Sequence, residues 1–143
     1  MTTQQINTVK HTWNIISALD PVTVGNLFYT RLFSIAPEVK PMFRSSMEEQ
    51  SKKLISMISY VICKLDKLDD IIDEVAKLAK RHVQYGVEAT HYLIVGNALI
   101  WTLAQGLDEY WNDEVREAWS KCYTTLSNAM IESAYNCNVA KVA

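Results

Sequence analysis

An all-α fold is predicted for this chain, on three observations. Glycine and proline are scarce, 4 and 3 in 143 residues, so turns are few and the elements between them are long. No stretch of useful length alternates apolar and polar residues as a half-buried strand would. Apolar residues recur instead at spacings of three and four, which places them on one face of a helix.

The first helix is expected from about Gln4 to Leu19, capped by Thr2 or Thr3, with Ile6, Val9, Trp13 and Ile16 as its buried stripe. Asp20-Pro21 reads as cap and first helical residue, since proline's fixed φ suits a position that needs no N–H. The second helix carries Val24, Leu27, Phe28, Arg31, Leu32 and Ile35. It stops at Ala36, because Pro37 disfavours a helical residue before it. A short helical turn from Pro37 to Phe43 and a polar corner from Arg44 to Glu49 lead into a long helix, about Met47 to Leu65. Its inner side holds Leu54, Ile55, Ile58, Val61, Ile62 and Leu65. Asp66 to Asp69 is the break. The fourth helix, about Asp70 to Tyr85, buries Ile71, Ile72, Val75, Leu78 and Ala79, and Gly86 supplies a left-handed stop. Thr90 is expected to cap a fifth long helix running to about Gln105, with Gly106 ending it. Asn112, with Asp113 and Glu114 behind it, opens the last helix. That helix holds Val115, Ala118, Trp119, Cys122, Tyr123, Leu126, Met130 and Ile131.

Composition narrows the function. Hydrophobic residues make up 49% and charged residues 21%, the mix of a globular chain whose length fits one domain, residues 1–143. A net charge of −2, from 14 basic and 16 acidic residues, gives no footprint for nucleic acid and no polybasic membrane patch. No apolar run approaches the roughly 20 residues that span a bilayer. Met1 to Asn7 does not read as a signal peptide, so a cytoplasmic location is expected. The three cysteines, Cys63, Cys122 and Cys137, form no CxxC pair and suit buried thiols in a reducing compartment.

Enzyme motifs are lacking: no Gly-rich phosphate loop, no HExxH, no GxSxG and no zinc-spaced cysteines occur. There are three histidines. His11 lies on a polar flank and His91 in the first turn of a helix, which suits surface or structural roles. His82 follows Leu78 by four residues and Val75 by seven, so helical periodicity turns it to the buried face. Spacing alone leaves it open whether His82 is a core residue or a metal ligand.

Five runs in order resemble a known family. Phe28-Tyr29-Thr30-Arg31-Leu32-Phe33 and then Pro37-Glu38-Val39-Lys40-Pro41-Met42-Phe43 look like the second helix and corner of bacterial globins. Lys80-Arg81-His82-Val83-Gln84-Tyr85-Gly86-Val87, followed by His91-Tyr92-Leu93-Ile94-Val95-Gly96, is similar to their proximal segment. Ala118-Trp119-Ser120-Lys121-Cys122-Tyr123 resembles the entry to their final helix. The likeness is to single-domain bacterial haemoglobins and to the globin half of flavohaemoglobins.

The resemblance implies a globin fold of six to eight helices enclosing one haem b. It implies His82 as the iron ligand, Phe43 against the porphyrin, and Tyr29 and Gln50 as distal hydrogen-bond donors, with Leu54 over the iron. Gln50 holds that position on a shortened corner. Arg81 is implied as a propionate partner, and Val87, Tyr92, Val95, Leu99 and Leu126 as pocket residues. Flavohaemoglobins pair a tyrosine and a glutamate with the proximal histidine. Tyr92 stands at the tyrosine's place, but Ala134 stands at the glutamate's, with Glu132 two residues earlier. The expectation therefore leans from catalysis toward reversible, high-affinity dioxygen binding, for storage, supply or scavenging. The alternatives are a nitric oxide dioxygenase served by an external reductase, and a gas sensor or interaction module. Dioxygen, nitric oxide and carbon monoxide are the expected ligands.

Overall fold

The computed structural model describes residues 1–133. Among them there are only helices: α1 (Thr3–Ser17), α2 (Pro21–Ile35), α3 (Met47–Cys63), α4 (Ile72–Gln84), α5 (Ala89–Leu107) and α6 (Asp113–Ile131), joined by 3₁₀ turns at Pro37–Met42, Leu65–Ile71 and Asp108–Tyr110.

The caps follow the sequence chemistry, with two exceptions. Thr2 and Gln5 form a reciprocal capping box for α1, and Asp20 caps α2 ahead of Pro21. Ser46 caps α3, with Glu48 and Glu49 in its first turn, and Asn112 accepts from the Val115 N–H to open α6. The fifth helix starts earlier than Thr90. Glu88 is its cap, and the His91 Nδ1 accepts the Glu88 N–H at 2.9 Å, so an imidazole takes the place a Gln or Glu side chain usually holds. Nor does Gly106 end that helix. The helix runs to Leu107 and stops at Asp108, whose φ of 47° is left-handed. Gly106 is instead a point of close approach, since a Cβ there would lie 2.6 Å from the Ile16 side chain.

The break after α3 is a 3₁₀ segment kinked at Lys67 (φ −136°, ψ 49°), which delays α4 to Ile72. As a result Ile72, expected inside, is half exposed, while Ile71 is buried.

Two apolar clusters organise the packing. The larger joins α1, α3, α5 and α6 through Val9, Trp13, Ile16, Ile62, Leu103, Val115 and Trp119. Both of its buried indoles are satisfied: the Trp119 N–H donates to the Thr12 hydroxyl at 2.8 Å and the Trp13 N–H to the Ser59 hydroxyl at 2.9 Å. The second cluster, Phe28, Tyr29, Leu32, Ala36, Val39 and Ala98, lies between α2, the following corner and α5. Leu99 touches both. Helices α2 and α3 cross at van der Waals range because Gly25 has no side chain; a Cβ there would fall 2.1 Å from the Ser51 side chain. No helix of the described residues is long and apolar enough to cross a membrane.

Candidate functional site

His82 occupies the last turn of α4, and the end of that helix fixes it in two ways. Gly86, at φ +90°, closes a Schellman motif in which the Val87 N–H reaches the His82 carbonyl at 3.0 Å and the Gly86 N–H reaches the Val83 carbonyl at 3.0 Å. The imidazole Nδ1 lies 2.8 Å from the Leu78 carbonyl one turn back. A carbonyl only accepts, so Nδ1 carries the proton and Nε2 is left with its lone pair. Burial, chiefly, holds the pKa of His82 below the usual histidine range, with the nearby Arg81 charge acting the same way, and the ring is neutral at pH 7. A neutral imidazole with an oriented, unprotonated Nε2 is a metal donor.

Tyr92, buried in the second turn of α5, lies nearly parallel to this ring (27°) with centroids 6.4 Å apart. The Tyr123 hydroxyl donates to the Tyr92 carbonyl at 2.5 Å, and the Tyr123 ring lies where a Cβ on Gly96 would be. The α5 backbone is thereby fastened to α6 beside the histidine.

The apolar wall is built by α2, the corner, α3 and α5. Tyr29 is 4% exposed and its ring meets Phe28, Phe43 and Phe33 with centroid distances of 4.9, 5.2 and 5.9 Å. Phe33 and Phe43 meet edge to face at 5.5 Å. Phe43, Leu54, Val95 and Leu99 pack against this cluster, yet each keeps part of its surface uncovered. The Tyr29 hydroxyl donates to the Gln50 main-chain carbonyl at 3.5 Å, the outer limit of a hydrogen bond. Burial pushes the Tyr29 pKa up to about 12, so its O–H remains a donor throughout the physiological range.

The residues expected from sequence are thus distributed as follows. Tyr29, Phe43, Leu54, Val95 and Leu99 belong to one wall, and His82 and Tyr92 form a second group. Gln50 is half-buried in the first turn of α3, and its backbone is what Tyr29 reaches. Arg81 is exposed, Val87 is tied to His82 by its N–H, and Leu126 packs against the larger cluster. Glu132 is exposed at the end of α6. Ala134, at the position expected to lack a glutamate, lies outside the described residues, as does Cys137. Sequence reasoning did not assign Phe28, Phe33, Met42, Met47 or Ile94 to the pocket, yet all of them belong to or flank the wall. The helical spacing of Phe28, Leu32 and Phe33 around Tyr29 was the available signal.

An all-helical protein with a single oriented imidazole and a half-covered apolar wall is the class these features define. The chain belongs to the globin family, whose model, described as Globin, matches residues 26–130. The Vibrio cholerae flavohemoprotein is 29% identical over 135 residues, covering 92% of this chain and 34% of that protein. That of Bordetella pertussis is 30% identical over 107 residues, covering 73% and 27%. The chain thus spans about a third of the length of the curated relatives it matches. A bacterial globin from Campylobacter jejuni superposes with a TM-score of 0.82 at 28% identity, over 96% of this chain and 99% of that one. A hexacoordinated haem protein from a tardigrade shares the fold at a TM-score of 0.83 and 14% identity, over 94% and 95%.

A globin domain implies a haem cofactor, with haem b the usual form, and the residues present fit it. Among the described residues no group of three His, Cys, Asp or Glu side chains could hold a bare metal ion. One histidine suffices only where a macrocycle supplies the other donors. The part-covered faces of Phe43, Leu54, Val95 and Leu99 are what a flat apolar ring would bury, at about 25 cal/mol per Å².

Proposed function

We propose that the protein binds dioxygen reversibly at a haem held by His82. The observation that carries this reading is the buried, protonated Tyr29 hydroxyl beside the apolar wall, which has only a marginal acceptor, the Gln50 carbonyl at 3.5 Å. When bound, haem supplies one open iron position for a diatomic gas and a centre that takes up or gives up one electron. The chain's own residues do the rest. His82 presents Nε2, kept unprotonated by the Nδ1 contact with the Leu78 carbonyl. Phe43 and Leu54 exclude water from the gas, and the rings around Tyr29 hold its hydroxyl in one orientation. Tyr29 then exchanges its long contact with Gln50 for a hydrogen bond to the polar ligand. The Gln50 side-chain amide, half-buried at the start of α3, is the second donor. Arg81 is exposed and free to meet a propionate, with Val87, Tyr92, Val95, Leu99 and Leu126 as pocket residues. Dioxygen gains more than carbon monoxide from such donors, because its bound form is the more polar.

Nitric oxide dioxygenation is the second reading, favoured by the flavohemoprotein relatives. Joining nitric oxide and dioxygen as nitrate consumes one electron per turnover, so this reading requires an external reductase. A visible spectrum after haem addition, with and without dioxygen, tests the first reading; no Soret band would overturn it. Nitrate formed over many turnovers in the presence of a reductase would favour the second.

A further inference from the structure

On the outer side of the apolar wall, an open groove of about 510 Å³ runs between α2 and α5. Arg31 follows Tyr29 by two residues, about 200° further round the helix, so it faces away from the wall. Its guanidinium lies 5.1 Å from the centroid of the half-buried Trp101 ring. Arg31 is also the only Lys, Arg, Asp or Glu on either helix, and it forms no ion pair among the described residues. No carboxylate lines the groove. Asp20, the cap of α2, stands about 16 Å from Arg31 along the helix, beyond the roughly 8 Å over which physiological salt screens a charge. Glu38 lies past the end of α2, in the next turn. Beside Arg31, the exposed Asn26, Thr30 and Ser34 follow one another at four-residue steps and form a second stripe on α2. The Thr23 hydroxyl is committed to Asp20 at 2.9 Å, but the side chains of Asn26, Thr30 and Ser34 make no hydrogen bond among the described residues. Leu27, one turn before Arg31 and 37% exposed, gives the groove an apolar edge.

We propose that this α2–α5 groove binds a small polyol carrying one phosphate or carboxylate group, with Arg31 as the anchor for the anion. A guanidinium laid on an indole keeps its N–H edge free, and that planar fork fits an oxyanion with two parallel hydrogen bonds. Trp101 covers one side of the guanidinium and restrains it, so less side-chain freedom is lost when a ligand binds. A lone cation on two otherwise uncharged helices suits one oxyanion, whereas a nucleic acid needs several cations in a row. The second stripe accounts for the polyol. Asn26, Thr30 and Ser34 each offer both a donor and an acceptor, as the hydroxyls of a sugar do. The groove has the size of a small-molecule site, and its apolar edge at Leu27 suits the carbon skeleton of such a ligand. It stands on the opposite side of α2 from Tyr29, so the proposal is independent of the haem reading above.

The test titrates the ¹⁵N-labelled full chain separately with glucose 6-phosphate, gluconate, inorganic phosphate and glucose. Glucose 6-phosphate is expected to shift amides of α2 from Thr23 onward together with the Trp101 indole N–H. It should bind about tenfold more tightly than inorganic phosphate, because only the sugar reaches the hydroxyl stripe, and glucose alone should not bind measurably. Gluconate tells the two oxyanions apart: equal affinity assigns the site to either, and weaker affinity to phosphate. Arg31→Gln is expected to weaken binding by about ten- to a hundredfold, and Arg31→Lys to restore only part of it, since an ammonium lacks the fork. Ser34→Ala is expected to weaken glucose 6-phosphate about threefold and leave inorganic phosphate unchanged, with the unfolding midpoint unmoved. Shifts centred elsewhere, no shifts, inorganic phosphate or glucose binding as tightly as the sugar phosphate, or an Arg31→Gln variant that binds like the parent would overturn the proposal. So would a dimer whose dilution moves the same resonances, because a second copy of the chain would then be the occupant of the groove.

Discussion

Replacing Tyr29 by Phe separates the hydroxyl's function from its contribution to the fold. The ring is the larger part of the packing, and Phe keeps all three ring contacts, with Phe28, Phe33 and Phe43. What is lost is an O–H whose acceptor lies at 3.5 Å. An ordinary hydrogen bond contributes about 0.5–1.5 kcal/mol, and one this long falls at or below the lower end. The fold should therefore lose less than about 0.5 kcal/mol, and removing a buried polar atom offsets part of that. The cost to the ligand is different. Because burial raises the Tyr29 pKa to about 12, the hydroxyl is protonated and available at any working pH. A hydrogen bond to a charged acceptor is worth about 1.5–3 kcal/mol, which is roughly ten- to a hundredfold in an equilibrium constant. Dioxygen release from the haem-loaded variant, followed by stopped-flow displacement with carbon monoxide, should accelerate by that factor while the unfolding midpoint barely moves. An unchanged release rate would remove Tyr29 from ligand binding. A large loss of stability would mean that the hydroxyl is structural.

Two further outcomes follow from the same packing. Gly25→Ala should destabilise the fold by about 1–3 kcal/mol or more, read from denaturant unfolding. The new Cβ would meet Ser51 at 2.1 Å, and its nearest obstacles are a Cβ, an Oγ and a Cα with little freedom to retreat. Adding Ser51→Gly should recover part of the loss, and a neutral Gly25→Ala would mean that the α2–α3 crossing opens freely. The pH dependence of the haem-free chain carries a sign that can be checked. Burial lowers the His82 pKa in the folded state relative to the unfolded value of 6.5, so the unfolded chain takes up the proton first as pH falls. His82 therefore contributes nothing adverse above about pH 6.5, and stability is lost from there down through the folded pKa. His82→Gln should flatten that limb of the unfolding midpoint against pH; an identical slope would place the titration elsewhere.

Much of the fold was legible because its signals are local. Thr2, Asp20, Ser46 and Asn112 close short hydrogen bonds with residues three positions on, so a cap can be read from a few neighbouring letters. Gly86 was equally readable, since a left-handed φ after a periodic run favours glycine. The failures were local rules overridden by distant partners. Gly106 looked like a helix end, but its missing side chain makes room for Ile16 on α1. Thr90 was a reasonable cap, yet Glu88 with His91 closes the end two residues earlier.

For the candidate site, the sequence by itself determined which chemistry was present. It offered one histidine on an apolar helix face, a tyrosine within an aromatic run, and the order of motifs that matches a globin. Only the tertiary structure decided what each group does with its hydrogen bonds. The Gln50 backbone rather than its side chain meets Tyr29, and Tyr123 reaches Tyr92 from α6, 31 residues away, whereas the Leu78 carbonyl that sets the His82 tautomer lies one turn back on the same helix. Burial, the pKa values it shifts, and long-range partners depend on the few ångströms between groups on different helices. A periodicity of three or four residues fixes the direction of a side chain on its own helix, but not what it will face.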